Sequence, residues 1–152
     1  MVSSLDIDEI DIAILKEVQN DSKTSYRDIA KRLELSVGTV HNRVKKMMDL
    51  GVIRSFAAVL DPEKLGFDLT AVILLQVEGM HIVDVEKAIS KSRSVIAVYD
   101  TTGDYDIVTV AKFRTREELN MFIKETLKMP YVKRSVTSIA LNVVKEDNRL
   151  NL

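Results

Sequence analysis

The stretch Ser25-Tyr-Arg-Asp-Ile-Ala-Lys-Arg-Leu-Glu-Leu-Ser-Val-Gly-Thr-Val-His-Asn-Arg-Val-Lys-Lys-Met47 decides the fold of the first part of this chain. Apolar residues recur in it at helical spacing, in two short blocks separated by a tight turn. Ser25 and Asp28 form a capping pair before the first block, and Ser36 offers an N-cap for the second. The pattern predicts a helix-turn-helix, a motif that indicates DNA binding.

The second of these helices has one apolar side and one polar side. Its apolar arc on a helical wheel holds Val37, Val40, Val44, Met47 and Met48. The opposite arc holds Gly38, Thr39, Asn42, Lys45, Lys46 and Asp49. Arg43 lies at the border and can swing outward. His41 falls close to the apolar arc, and we therefore exclude it from the functional candidates.

Charge in this segment is one-sided. Between Ser36 and Ser55 the single acid Asp49 faces four bases, whereas a merely solvated helix usually interleaves both signs. An ordinary helical hairpin with a solvated face is the alternative. The small first-turn residues leave room for the helix N-terminus in a major groove. There the lysine and arginine side chains can contact phosphates or guanine edges, and the asparagine amide can contact adenine. The candidate DNA contacts are Ser36, Gly38, Thr39, Asn42, Arg43, Lys45, Lys46 and Arg54.

One residue departs from the usual motif. Many helix-turn-helix units carry glycine in the turn, where this chain has Glu34. The turn must therefore close by another route.

Composition narrows the classes of protein. The 152 residues are 46% hydrophobic, enough for two small domains, and the net charge of −1 matters less for DNA binding than the placement of the bases. No cysteine and only two histidines argue against a disulfide, a metal centre or a cofactor. Without a long apolar run, and with acids where a signal peptide carries bases, we expect a cytoplasmic protein with no membrane partner.

The pattern divides the chain into three parts. Residues 1–52 form the helix-turn-helix domain, in which the acid-rich segment from Asp6 to Asn20 is a supporting helix and Gly51 ends the last helix. Residues 53–68 begin with a β-branched, apolar segment that predicts a linker strand. Residues 69–152 form the second domain.

The second domain alternates strands and helices in the order β-α-β, twice. Such split units form a four-stranded antiparallel sheet with both helices on one face, the βαββαβ ferredoxin-like arrangement, so the fold class is α+β. The last strand is predicted from Val132 to Val144. Because valine and isoleucine occupy both alternations of the strands, we expect the other face to be buried in a homodimer, with a monomer as the alternative.

Across nearly all its length the chain resembles the leucine-responsive/asparagine (Lrp/AsnC, or feast/famine) regulators. The resemblance is carried by Leu5-Asp-Ile-Asp-Glu-Ile-Asp-Ile-Ala-Ile-Leu15, Leu35-Ser36, Arg43-Val44, Gly51-Val-Ile53 and Thr102-Gly-Asp-Tyr-Asp106. It implies a plain or winged helix-turn-helix, a linker strand, and a C-terminal domain of amino-acid-metabolism regulation (RAM domain) that dimerises and often assembles into octamers. It also implies that a small effector, typically an amino acid, binds between dimers beside the hairpin.

The hairpin of the second domain has chemistry that suits a zwitterion. Gly103 lets the backbone approach a ligand closely, while Asp104 and Asp106 can pair with an ammonium group. Gly-Asp is also ordinary turn chemistry, and Asp106 can instead satisfy backbone donors, which leaves Asp104 as the more exposed candidate. With flanking rings and with hydroxyls of the last strand, the candidate effector contacts are Tyr99, Thr101, Thr102, Gly103, Asp104, Tyr105, Asp106, Ser135, Thr137 and Ser138.

These observations predict a sequence-specific, DNA-binding transcriptional regulator that is homo-oligomeric and responds to an amino-acid-like effector. Nucleophile–base constellations and phosphate loops are missing from the sequence, so we expect no enzymatic activity. The alternatives are a stand-alone amino-acid sensor or metabolic enzyme whose N-terminal helices are an interaction module, and a pure assembly protein.

Overall fold

The computed structural model describes residues 7–152, which form two compact units. One unit comprises the described residues up to Val59 together with Asp147–Leu152, and the other comprises Leu60–Glu146. The last six residues, expected in the second domain, thus group with the first unit. Leu5 and Asp6, where the motif and the supporting helix were predicted to begin, lie outside the described residues. Over the described range, no helix is both long and apolar enough to cross a bilayer.

Three helices build the first unit. They are α1 (Glu9–Asn20), α2 (Tyr26–Arg32) and α3 (Val37–Asp49). Ser25 Oγ accepts a hydrogen bond from the Asp28 amide at 3.2 Å, and Ser36 Oγ accepts one from the Thr39 amide at 3.0 Å. Each hydroxyl satisfies an amide that a helix N-terminus leaves without an intrahelical partner. The predicted helix-turn-helix and its two caps are confirmed.

The turn between α2 and α3 closes without glycine. Glu34 has a φ of 56°, in the left-handed region. The Leu35 amide donates to the Ala30 carbonyl at 2.8 Å and so satisfies a carbonyl at the end of α2. Glu34 itself therefore adopts the conformation for which other turns use glycine, at a cost of roughly 1 kcal/mol.

The end of the chain contacts α1. The Leu150 amide donates to Gln19 Oε1 at 2.9 Å, and Gln19 Nε2 donates to the Leu150 carbonyl at 2.7 Å. The side-chain amide of Gln19 thus pairs with a backbone donor and a backbone acceptor of one residue. The first unit is therefore assembled from two segments that lie far apart in sequence.

The predicted linker strand is absent. Residues 54–60 have no regular structure, and a single 3-10 turn, Glu63–Leu65, precedes the sheet. The β-branched composition suggested a strand, but a strand needs a neighbouring edge, and within the described chain the backbone of residues 54–60 has no ladder partner. No strand follows α3 among the described residues of the first unit, so the helix-turn-helix carries no wing there.

The second unit is a four-stranded antiparallel sheet with two helices. Its elements are β1 (Leu69–Val77), α4 (Ile82–Ile89), β2 (Val95–Asp100), β3 (Ile107–Phe113), α5 (Arg116–Lys128) and β4 (Val132–Ile139). The strand order β2-β3-β1-β4 confirms the βαββαβ arrangement. β4 ends at Ile139, before the predicted Val144, because its partner β1 begins at Leu69 and Ile139 already pairs with Ala71.

Alternation along the strands gives this sheet two different faces. The face covered by the helices carries the core, formed by Ala71, Ile73, Leu75, Val77, Ile107, Ala111 and Phe113 with Val85, Ile89, Leu119 and Phe122. The opposite face, here the open face, presents the half-buried side chains of Val72, Leu74, Val108, Val110 and Val136. The centre of the open face is apolar, and neither helix of the second unit covers it.

Candidate functional site

The outward side of α3, here the recognition face, is formed by Gly38, His41, Asn42 and Lys45, all of which are exposed. Their spacing of three and four residues stacks them along one side of the helix. Within the described residues, Asn42 and Lys45 form no hydrogen bond or ion pair. The recognition face therefore presents a free amide and a free ammonium group to solvent.

The structure corrects the exclusion of His41. The buried residues of α3 are Val40, Val44 and Met47. Val37 and Met48, which the wheel assigned to the apolar arc, are each 46% exposed. Counting these two as buried shifted the predicted arc toward His41. Its ring lies exposed, edge-on to the Tyr26 ring with centroids 6.1 Å apart, and belongs to the recognition face.

Arg43 lies in an ion pair between α3 and α1 rather than on the recognition face. Its Nη1 contacts Asp8 Oδ2 at 2.6 Å and Asp11 Oδ1 at 2.9 Å, and Asp11 is fully buried. The hydrogen bond from Arg43 holds the pKa of Asp8 below its usual range, and both carboxylates raise the pKa of Arg43. We call Asp8, Asp11 and Arg43 the clamp. Arg43, which was predicted to contact DNA, therefore holds α3 against α1.

The other predicted DNA contacts lie around the recognition face. Lys46 Nζ is 3.8 Å from Asp11 Oδ2, so this side chain turns toward the clamp. The Ser36 and Thr39 hydroxyls lie 2.8 Å apart at the N-terminus of α3. Arg54 is exposed in the irregular segment after α3. The structure thus brings Gly38, Asn42 and Lys45 together and leaves the remaining candidates at the border or away from this face.

In the second unit, a cavity of about 420 Å³ opens beside the hairpin between β2 and β3. It is lined by Gln76, Gly103, Asp104, Tyr105, Asp106 and Arg134. Gly103 has a φ of 121°, which strongly disfavours residues with a side chain. The backbone at Gly103 is open, since a Cβ placed there would meet no atom within 4 Å. Four of the ten predicted effector contacts therefore line one cavity.

The two hairpin acids differ in their partners. Asp106 Oδ2 accepts a hydrogen bond from the Val77 amide at 2.7 Å, and the Asp106 amide donates to the Leu75 carbonyl at 2.9 Å. Asp106 therefore ties the hairpin to β1. Asp104 is exposed and has no hydrogen bond or ion pair within the described residues. Its carboxylate remains available to a ligand.

The other six predicted effector contacts do not line the cavity. Thr101 closes the hairpin, with its Oγ1 donating to the Tyr105 carbonyl at 2.9 Å, and Thr102 is exposed beside it. Register with β1 places Ser135 and Thr137 on the helix-covered face, opposite Leu75 and Ile73. Tyr99 and Ser138 lie farther along the open face, opposite Val108 and Val72.

Gln76 and Arg134 line the cavity but were not predicted. They pair directly across β1 and β4, at the ends of two strands. Alternation along β4 puts Arg134 on the face opposite Ser135, a signal that the sequence does contain. The pairing of Gln76 with Arg134 depends on the register of strands far apart in sequence.

Two family descriptions match the chain in turn. The family described as winged helix-turn-helix DNA-binding matches residues 7–54, and the family described as Lrp/AsnC ligand binding domain matches residues 70–150. The two matches cover the units that hold the recognition face and the cavity.

Similar proteins agree with these matches along almost the whole chain. An uncharacterized HTH-type transcriptional regulator of Pyrococcus furiosus is 47% identical over 96% of this chain and 99% of its own length. The HTH-type transcriptional regulator FL11 of Pyrococcus horikoshii is 39% identical over 95% of each chain. A transcriptional regulator of Neisseria meningitidis, solved as a complex with L-Met, is 26% identical with a TM-score of 0.84, covering 95% of this chain and 96% of that one.

Proposed function

Because the chain belongs to the Lrp/AsnC family of transcriptional regulators, we propose that it binds duplex DNA in the cytoplasm through the recognition face of α3 and responds to an amino acid bound in the cavity beside Gly103. The observation that carries the proposal is the contrast within α3. Arg43 is held in the clamp, whereas the neighbouring Asn42 and Lys45 are exposed without partners among the described residues. In this role the protein acts by binding and has no catalytic step.

The chemistry of the recognition face suits a major groove. Gly38 has no side chain, so the N-terminal end of α3 can approach the DNA closely. Asn42 offers a hydrogen-bond donor and an acceptor to an adenine edge, and Lys45 offers a positive charge to a phosphate. His41 adds a second side chain that can reach a base or a phosphate. The clamp keeps this face outward because it fixes the opposite border of the helix.

Replacing Lys45 with Ala tests the DNA-binding surface. The full-length variant should bind every duplex more weakly, and the slope of log affinity against log salt should fall by about 0.9 for each phosphate that the variant no longer neutralises. Lys16 is an exposed residue of α1, so Lys16→Ala is the matched control and should leave the DNA affinity and the salt slope unchanged. Equal slopes for wild type and Lys45→Ala would contradict the assignment. A wild-type protein without salt-dependent DNA binding would favour a stand-alone sensor or enzyme.

For the effector, the support is a free carboxylate beside an open backbone. Asp104 suits the α-ammonium of an amino acid, and Gly103 allows the ligand close to the main chain. The Neisseria meningitidis relative was solved with L-Met, which makes an amino acid the first class to test here.

Asp104→Asn keeps the turn chemistry of the hairpin and removes the charge. We expect this variant to keep the wild-type melting temperature and to lose roughly tenfold or more in affinity for the amino acid that binds the wild type, as measured by calorimetry. Asp68→Asn, an exposed acid outside the cavity, should bind as the wild type does. Undiminished binding by Asp104→Asn would mean that the acid serves only the turn.

The open face supports a homodimer. The further assembly of such dimers into octamers is proposed from the resemblance to the family alone. Its half-buried valines and leucine form an apolar surface of the kind that proteins cover with a partner. Sedimentation of the full chain at micromolar concentration should give the mass of a dimer or a multiple of it. A stable monomer would contradict this part of the proposal.

A further inference from the structure

Arg134 has an exposed side chain that lines the same cavity as the free acid Asp104, and it forms no ion pair or hydrogen bond within the described residues. We propose that Arg134, assisted by Gln76, binds the α-carboxylate of the effector, so that the cavity requires a free amino acid with both of its charged ends. This inference rests on the proposed function and deepens it, because it names the chemical group that the second end of the cavity selects.

The sheet places Arg134 and Gln76 side by side. They are partners in the antiparallel pair of β1 and β4, and both project to the open face with Leu74 and Val136. Side chains directly opposite each other in such a pair have Cβ atoms about 5 Å apart. An arginine fork and a side-chain amide at that spacing supply several N–H donors to one carboxylate.

The pair also lies where the ladder changes register. The pairing of β1 with β4 shifts directly after Gln76, so that Val77 pairs with Val132. Such irregularities re-aim side chains, often beside binding sites. The Asp106 carboxylate binds the Val77 amide at this same point and fixes the hairpin beside the pair.

The charged groups that line the cavity differ in whether the protein already pairs them. Asp106 already accepts from a backbone amide, which leaves Asp104 and Arg134 as a carboxylate and a guanidinium without protein partners among the described residues. Arginine and carboxylate form short, often bidentate hydrogen bonds, which makes the guanidinium the natural partner of an α-carboxylate. A free amino acid presents both complementary charges on one carbon. The one unpaired carboxylate and the one unpaired guanidinium of the lining thus suit a zwitterion better than an anion or a cation alone.

The volume is consistent with such a ligand. About 420 Å³ lies within the usual range for small-molecule sites and exceeds what a single ion needs. Specificity then has two parts, because the charges select the α-amino-acid class and the remaining space selects the side chain. An amino-acid amide keeps the ammonium group but loses the group that Arg134 recognises.

The test uses calorimetry on the full-length protein with each of the standard L-amino acids, followed by the α-amide of the tightest binder. We expect Arg134→Gln to lose tenfold or more in affinity for the amino acid and to bind the α-amide as the wild type does. Arg93→Gln, an exposed arginine outside the cavity, is the matched control and should bind both ligands as the wild type does. Asp104→Asn should weaken both ligands, because both carry the ammonium group.

The outcomes separate the inference from the proposed function. If Arg134→Gln binds the amino acid as tightly as the wild type while Asp104→Asn does not, the role of Arg134 is overturned and the effector site stands. If the wild type prefers the α-amide or does not distinguish the two ligands, the inference is overturned as well. If no amino acid binds the wild type, both the effector class and the inference fail. Equal melting temperatures for Arg134→Gln and the wild type exclude unfolding as the cause of a loss.

Discussion

The two units use charge in opposite ways. In the helical unit, Arg43 is satisfied by Asp8 and Asp11, and the buried carboxylate lies at the contact of α1 with α3. In the sheet unit, Asp104 and Arg134 line one cavity and neither has a partner within the described residues. Charges of the first kind hold the fold, whereas charges of the second kind have no protein partner among the described residues and are available to a ligand. A charged residue in a predicted site is therefore informative only once its partners are known.

The largest expected effect comes from breaking the clamp. Arg43→Met removes the shorter of the two ion pairs of the buried Asp11 and leaves it with Lys46 at 3.8 Å and the Asp8 amide, which should lower the free energy of unfolding by about 3 kcal/mol. Lys45→Met, on the exposed side of the same helix, is the control and should change stability by less than about 0.5 kcal/mol. Chemical denaturation followed by circular dichroism measures both. Equal stability of the two variants would erase the distinction between clamp and recognition face.

A smaller effect is expected from the hairpin acid that has partners. Asp106→Ala leaves the Val77 amide without its charged acceptor and should cost about 2 kcal/mol of stability, because hydrogen bonds to charged groups are worth about that much. Asp104→Ala removes an acid without such a bond and should leave the melting temperature nearly unchanged. The comparison would fail if calorimetric unfolding gave the two variants the same melting temperature.

The smallest expected effect is a dependence on pH of the stabilisation that the clamp provides. Arg43 holds the pKa of Asp8 below the unfolded value of about 3.9, so the folded state binds fewer protons there. The stabilisation is fully present above that value and is lost as the pH falls through the folded pKa. Asp8→Asn keeps a good N-cap but cannot ionise. The stability difference between wild type and variant should be constant near neutral pH and vanish in acid; a difference independent of pH would contradict the pairing.

The local features of the helical unit were predictable from sequence, whereas its charge pairing was not. Ser25 and Ser36 cap the helices they were assigned to, because a cap depends on neighbours three residues away. Arg43 and Asp11 are 32 residues apart in the chain, and their contact depends on how α1 crosses α3. The prediction that His41 lies close to the apolar arc was wrong because the helical wheel counted two exposed apolar residues, Val37 and Met48, as buried.

In the sheet unit the order of elements followed from the alternation of strands and helices, but the composition of the cavity did not. The hairpin residues are local and were found, whereas Gln76 and Arg134 meet only through the β1–β4 register. The hydroxyls of β4 were chosen for their chemistry, although alternation turns Ser135 and Thr137 to the helix-covered face. The prediction of a linker strand was wrong because strand propensity does not tell whether a neighbouring strand edge is available for pairing.

The contact of Gln19 with Leu150 can form only late in the synthesis of the chain. The chain leaves the ribosome from its N-terminus, so the three helices emerge early, and neighbouring residues suffice for their caps. The two hydrogen bonds between Gln19 and Leu150 can form only after 131 further residues have been translated. The whole sheet unit is synthesised in that interval. The helical unit therefore completes its contacts only after the sheet unit has been synthesised, and a polypeptide that terminates earlier lacks the contact between Gln19 and Leu150.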